Sequence, residues 1–91
     1  MTLLDIVRTL DSLDKESTIY AVEPWVESSE AVLVPILSTN DRIDVLHSDG
    51  KRYLLEVFLA KEILEGYVEH HPEASAEERC NRLIYYAIFD A

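Results

Sequence analysis

The sequence predicts an α+β domain: a small antiparallel sheet of two or three strands, one N-terminal helix and two C-terminal helices, in the order α-β-β-(β)-α-α. Two observations predict this class. Apolar residues recur at helical spacing near both ends of the chain, and β-rich segments lie between them. The 91 residues include only two Gly and three Pro, which leaves no flexible linker. We therefore expect one compact domain over 1–91.

The N-terminal helix is predicted over residues 3–13. Thr2 and Asp5 have the spacing of a variant capping box, which satisfies free backbone N–H groups at a helix start. The apolar stripe that follows consists of Leu3, Ile6, Val7, Leu10 and Leu13. Turn-forming Asp and Ser residues between 11 and 17 end the helix.

Two strands are predicted over 18–22 and 31–37. The second is apolar on both faces, so we expect it to lie between two layers. Pro35 cannot donate a hydrogen bond to a neighbouring strand, which indicates a sheet edge, a bulge or a strand end. If this edge is open, something must cover it, and a second copy of the chain would do so. The simplest pairing is an antiparallel meander.

The middle of the chain allows two interpretations. In the first, the stretch 43–47 alternates like a third strand and a turn signal follows at 48–50. The stretches 43–47 and 51–57 then form a hairpin.

In the second interpretation, which we prefer, a helix begins near Lys51 or Arg52 and continues to about His70. Its C-terminal half has apolar residues on one side and charged residues on the other, as amphipathic helices do. Its N-terminal half is apolar all round, so we expect protein on every side of it. Pro72 ends this helix, because the residue before a proline disfavours the α conformation.

The last helix is predicted over 75–91, with Ser75 and Glu78 as a capping box. One apolar stripe at helical spacing faces the core and consists of Cys80, Leu83, Ile84, Ala87 and Ile88. A second face of this helix carries Arg82, Tyr85, Tyr86 and Phe89. A helix needs only one apolar face to pack on a core, so the second face predicts either burial inside the monomer, a homodimer interface or a foreign partner.

The charge distribution disfavours nucleic acid and membrane surfaces as partners. Eighteen Asp and Glu residues outnumber eight Lys and Arg, which gives a net charge of −10. A protein that binds phosphates needs clustered basic residues, and the only adjacent pair is Lys51-Arg52. The acidity therefore provides solubility through self-repulsion or steers the protein onto a basic partner.

No motif in the sequence points to catalysis or a cofactor. His70 and His71 are adjacent, so on a helix they point about 100° apart and do not form a metal site together. Cys80 lies on the apolar stripe, where a thiol behaves as a small hydrophobe. Phosphate-binding glycine loops are absent from a chain with two glycines. We therefore expect no enzyme, no metal and no cofactor.

The sequence also predicts a location and a function. The N-terminus lacks the cationic and apolar regions of a signal peptide, no stretch is apolar enough to span a membrane, and a single cysteine suits the reducing cytoplasm. We expect a cytoplasmic protein–protein interaction domain that forms a homodimer. The candidate interaction residues are Arg82, Tyr85, Tyr86, Phe89 and Trp25, although Trp25 also suits the edge of a core.

In size and charge the chain is similar to the small acidic antitoxins, immunity proteins and nucleic-acid mimics of bacteria and phages. This similarity is one of composition and involves no shared motif. It implies the alternative function of an acidic inhibitor that neutralises a basic partner protein.

Overall fold

The computed structural model describes residues 1–90, without the side chains of 38–41, and confirms the α+β class. A three-stranded antiparallel sheet is covered by four helices. The elements in chain order are α1 (Leu3–Arg8), β1 (Ser17–Val22), β2 (Ala31–Pro35), α2 (Thr39–Ser48), β3 (Lys51–Glu56), α3 (Val57–His70) and α4 (Ala76–Phe89). A short 3-10 helix follows β2. The helix predicted over residues 3–13 is α-helical only to Arg8, and a separate 3-10 helix follows it at Leu10–Ser12.

The sheet has the strand order β2-β1-β3. β1 pairs antiparallel with both neighbours, with Ile19 opposite Leu33 on one side and opposite Leu55 on the other. The predicted antiparallel pairing of the first two strands is confirmed, but the three strands do not form a continuous meander, because β3 pairs with β1 rather than with β2. This order places β1 at the centre, and accordingly its residues from Ser17 to Ala21 are all buried.

The main core lies between one face of the sheet and helices α1, α3 and α4. Its fully buried side chains come from every one of these elements and include Ile6, Ile19, Leu54, Leu55, Val57 and Cys80. The predicted amphipathic patterns of the three helices explain this core, because each buries one apolar stripe against the sheet. Both predicted capping boxes, at Thr2 and at Ser75, are present.

The opposite face of the sheet carries a small second core, in agreement with the expectation that the second strand lies between two layers. Tyr20 and Val34, whose side chains alternate with those of the main core, contact Leu46 of α2. The prediction of a strand at 43–47 is wrong, because these residues belong to helix α2. Within α2 the spacing of Ile43 and Leu46 is helical, and both pack toward this second core.

The region 51–56 is a strand, so the preferred helix from Lys51 or Arg52 is wrong in its first part. The strand has a bulge at Leu54, since Tyr20 pairs with Tyr53 while Ile19 pairs with Leu55. A bulge lets two consecutive residues point to the same face, and both Leu54 and Leu55 are buried in the main core. This local geometry produces the continuous apolar run that resembled a buried helix.

The turn between α2 and β3 is the one predicted from the sequence, although it joins a helix to a strand. Gly50 has φ +77°, a conformation that glycine adopts without steric cost at a helix C-terminus. Its N–H donates to the His47 carbonyl oxygen at 3.0 Å.

The outer edge of β2 is partly covered by the same chain. Thr2 forms an antiparallel bridge with Glu30, and the Ala31 N–H donates to the Met1 carbonyl oxygen at 2.8 Å. Pro35 ends the strand, as its missing N–H predicts. The first two residues of the chain thus cover the Glu30–Ala31 end of this edge.

Candidate interaction surface

Helix α4 presents two different sides. Cys80, Leu83 and Ile84 are buried in the main core, and Ala87 packs partly against it. The prediction that Ile88 continues this buried stripe is wrong, because its side chain is 54% exposed. Ile88 follows the buried Ile84 by one helical turn and lies beyond the last buried residue of α4.

The exposed side of α4 carries an apolar and aromatic surface. We call Arg82, Tyr85, Ile88 and Phe89 the α4 patch. Tyr85 is 52% and Phe89 67% exposed, and their ring centroids lie 4.8 Å apart. The Arg82 guanidinium lies 5.6 Å from the centroid of the Tyr85 ring, within the range of a cation–π interaction. Burial of these two rings inside the monomer is therefore excluded.

Tyr86 differs from its neighbour Tyr85. It packs partly against the main core and lines a groove between α3 and α4 with a volume of about 600 Å³. We call this the α3–α4 groove. Its α4 wall is formed by Arg82 and Tyr86, and the other lining residues are Glu62, Ile63, Gly66, Tyr67, His70 and His71. Arg82 thus belongs both to the α4 patch and to the groove.

Gly66 keeps one wall of the α3–α4 groove free of a side chain. It lies in the middle of α3, where glycine costs about 0.5–1 kcal/mol relative to alanine. A Cβ atom at this position would meet no other atom within 4 Å. Packing within the monomer therefore does not explain the glycine, and its effect is to leave the groove open.

The end of the groove is formed by an aromatic pair. The rings of Tyr67 and His71 stack with centroids 4.4 Å apart and planes 18° apart. The His71 Nδ1 atom also lies 3.2 Å from the Tyr67 carbonyl oxygen. These contacts hold His71 against the groove wall at the C-terminus of α3.

The α4 patch differs in charge from the rest of the protein. Residues 82–89 contain one cation, Arg82, and no carboxylate, although the chain as a whole has a net charge of −10. Glu62 is the only carboxylate among the residues that line the adjoining groove. The patch is thus a locally apolar and slightly basic region on an acidic molecule.

Trp25, the fifth candidate interaction residue, lies outside this surface. It packs partly buried against the main core, and its indole Nε1 donates to the Ala21 carbonyl oxygen at 3.1 Å. A buried indole N–H requires such an acceptor. Trp25 is not among the residues that line the α3–α4 groove.

Other polar side chains offer weaker candidate sites. A second groove of about 580 Å³ lies between α1, α3 and α4, but two of its cations are engaged within the chain. Arg8 pairs with Glu77 at 3.1 Å, and the Lys61 Nζ donates to the Leu13 carbonyl oxygen at 2.7 Å. Cys80 is buried, and burial raises the pKa of its thiol to about 11, which opposes reactivity at neutral pH.

Residues 1–90, apart from the side chains of 38–41, contain no group of three metal-ligating side chains placed to share an ion. Within the described helices, none combines the length and the apolar character that crossing a membrane requires. No family model, curated protein or solved structure matches the chain. The molecule is thus characterised by its fold and by an exposed aromatic surface on its last helix.

Proposed function

We propose that this protein is a small cytoplasmic protein–protein interaction domain without catalytic activity, and that it self-associates through the α4 patch. The observation that carries the proposal is the exposure of Tyr85, Ile88 and Phe89 side by side on one helix. Aromatic residues and Arg are enriched at the centres of protein interfaces. Tyr85 contacts both Phe89 and Arg82 within α4, yet more than half of the surface of Tyr85 and of Phe89 stays exposed.

The area of the α4 patch is consistent with a weak interface. From the exposed fractions of its three large apolar side chains, the patch presents roughly 300 Å², taking about 150–250 Å² for each fully exposed side chain. This lies in the range of the largest apolar patches on monomers, which are often functional. A stable interface needs about 800 Å² from each partner, so neighbouring surface has to contribute.

The local charge favours a second copy over a basic partner at this surface. A basic protein would dock where carboxylates are concentrated, but residues 82–89 have none. Two copies with a net charge of −10 each repel one another least where carboxylates are missing. The α4 patch combines this feature with apolar surface.

The proposal is tested by sedimentation equilibrium of the wild-type protein and of a Tyr85→Ser/Phe89→Ser variant. We expect wild-type mass to rise above 10.4 kDa with increasing concentration, and the variant to stay monomeric with an unchanged circular dichroism spectrum. The matched control is Leu37→Ser/Val45→Ser, which removes two exposed apolar side chains elsewhere. Equal association of wild-type protein and the patch variant would contradict the proposal.

A second candidate function is an acidic inhibitor that neutralises a basic protein. Among the described residues only two carboxylates, Glu77 and Asp49, form ion pairs, so most of the negative charge is available to a partner. Glu62, Glu65 and Glu69 are exposed along α3. This function predicts capture of a basic protein from the native host at low salt and its release at high salt, and recovery of the protein alone would contradict it.

A further inference from the structure

We propose that two copies of this chain associate around a two-fold axis near Tyr85, so that Phe89 of each copy enters the α3–α4 groove of the other. The inference rests on the self-association proposed above and specifies its geometry. It assigns the groove a ligand, an aromatic side chain of a second copy. It also assigns Gly66 a role, which is to leave room for that side chain.

The α3–α4 groove lies directly beside the α4 patch. Arg82 and Tyr86 form the groove wall, whereas Tyr85 and Phe89 project into solvent. At about 100° per residue, these two pairs point roughly 60° apart around α4. A projection and a recess therefore lie next to each other on one surface. Such a surface is self-complementary under two-fold rotation, because each projection then meets the recess of the other copy.

The spacing of Tyr85 and Phe89 along α4 determines where Phe89 of one copy meets the other copy. A two-fold axis at Tyr85 that lies in the contact plane and runs perpendicular to α4 sets the two α4 helices face to face and antiparallel. Phe89 lies four residues after Tyr85, about 6 Å along the helix at 1.5 Å per residue. Phe89 of the second copy then lies about 6 Å before Tyr85 of the first copy, at the level of Asn81 and one residue from Arg82. There its ring meets the groove wall and the Arg82 guanidinium, an arrangement that favours a cation–π contact.

The area and the charge of the combined surface, the α4 patch and the α3–α4 groove, also favour this arrangement. The α4 patch alone is too small for a stable dimer, and the adjoining groove supplies further surface toward the roughly 800 Å² that each copy must bury. The contact also avoids most carboxylates, because Glu62 is the only one that lines the groove.

Cysteine cross-linking tests the geometry directly. Tyr85→Cys, near the axis, should form a disulfide-linked homodimer under mild oxidation. A mixture of Phe89→Cys and Gly66→Cys should form the mixed dimer at least about 10-fold more efficiently than a mixture of Phe89→Cys and Glu65→Cys. Glu65 is adjacent to Gly66 but lines the other groove, so it is the matched control. Cys80 is buried and should contribute little background.

A variant at Gly66 tests whether docking requires a groove wall without a side chain at this position. Gly66→Gln places a side chain in the groove and should raise the dimer dissociation constant about 10-fold or more, while Glu65→Gln should not raise it. If Tyr85→Ser/Phe89→Ser abolishes association but Gly66→Gln leaves it unchanged and no mixed disulfide forms, the groove geometry is wrong and self-association stands. If wild-type protein is monomeric at every concentration, both proposals fail.

Discussion

Cys80 shows how one buried side chain makes stability depend on pH. Burial among apolar residues, with a smaller effect of the nearby carboxylates of Glu27 and Glu77, raises the pKa of the thiol from its ordinary value of 9.0 to about 11. Below pH 9 the thiol is protonated in both the folded and the unfolded chain. Between pH 9 and 11 the unfolded chain loses this proton and the folded chain retains it, so stability falls as pH rises.

We therefore expect Cys80→Ala to lose less stability than the wild-type protein between pH 8 and 11. The difference in the free energy of unfolding should be on the order of 1–3 kcal/mol, at about 1.4 kcal/mol for each pKa unit. Urea unfolding at a series of pH values measures it. Tyr20 and Tyr53, whose pKa values are also raised by burial, are present in both proteins, so their effect cancels. Parallel pH curves for the two proteins would refute the account of Cys80.

Tyr85 and Tyr86 are neighbours in the sequence, yet only Tyr86 packs against the core. The sequence predicted a second face of the helix correctly, because helical spacing places Arg82, Tyr85 and Phe89 away from the buried stripe. The sequence pattern did not distinguish the exposed Tyr85 from the half-buried Tyr86, because the burial of each tyrosine depends on where α3 crosses α4. The exposure of Ile88 has the same cause: the core contact ends before the helix does.

At the scale of one element, the stability of helix α3 is tested at Gly66. Gly66 lies in its interior with open space around the missing Cβ. Gly66→Ala should raise the free energy of unfolding of the monomer by about 0.5–1 kcal/mol, because alanine loses less backbone entropy in a helix. Chemical denaturation at a protein concentration low enough to keep the chain monomeric measures this change. A destabilised Gly66→Ala monomer would show that the position is under strain within the chain.

Local sequence signals predicted the elements well where one periodicity dominated. The capping boxes at Thr2 and Ser75 and the stripe of α1 are examples. They failed for β3, because the bulge at Leu54 places Leu54 and Leu55 on the same side of the sheet and hides the strand alternation. They also failed for α2. Among its residues with described side chains, those that contact the small core are Ile43 and Leu46, so the helical spacing is visible in a single pair of residues.

The whole molecule combines strong negative charge with a stretch of α4, residues 82–89, that has no carboxylate, and this combination determines how salt should act. Residues 82–89 supply the apolar contact, while the net charge of −10 on each copy opposes association. The Debye length falls from about 10 Å at 0.1 M salt to about 3 Å at 1 M. Salt screens the repulsion between copies and leaves apolar contacts intact.

The salt dependence of the wild-type self-association constant is the most direct test of the central claim that two copies meet at the α4 patch. Sedimentation equilibrium from about 0.1 M to about 1 M salt measures it. The account predicts that the dimer becomes tighter as salt increases, and that the Tyr85→Ser/Phe89→Ser variant stays monomeric throughout. A wild-type protein that remains monomeric across this range, or a dimer that dissociates as salt rises, would contradict it.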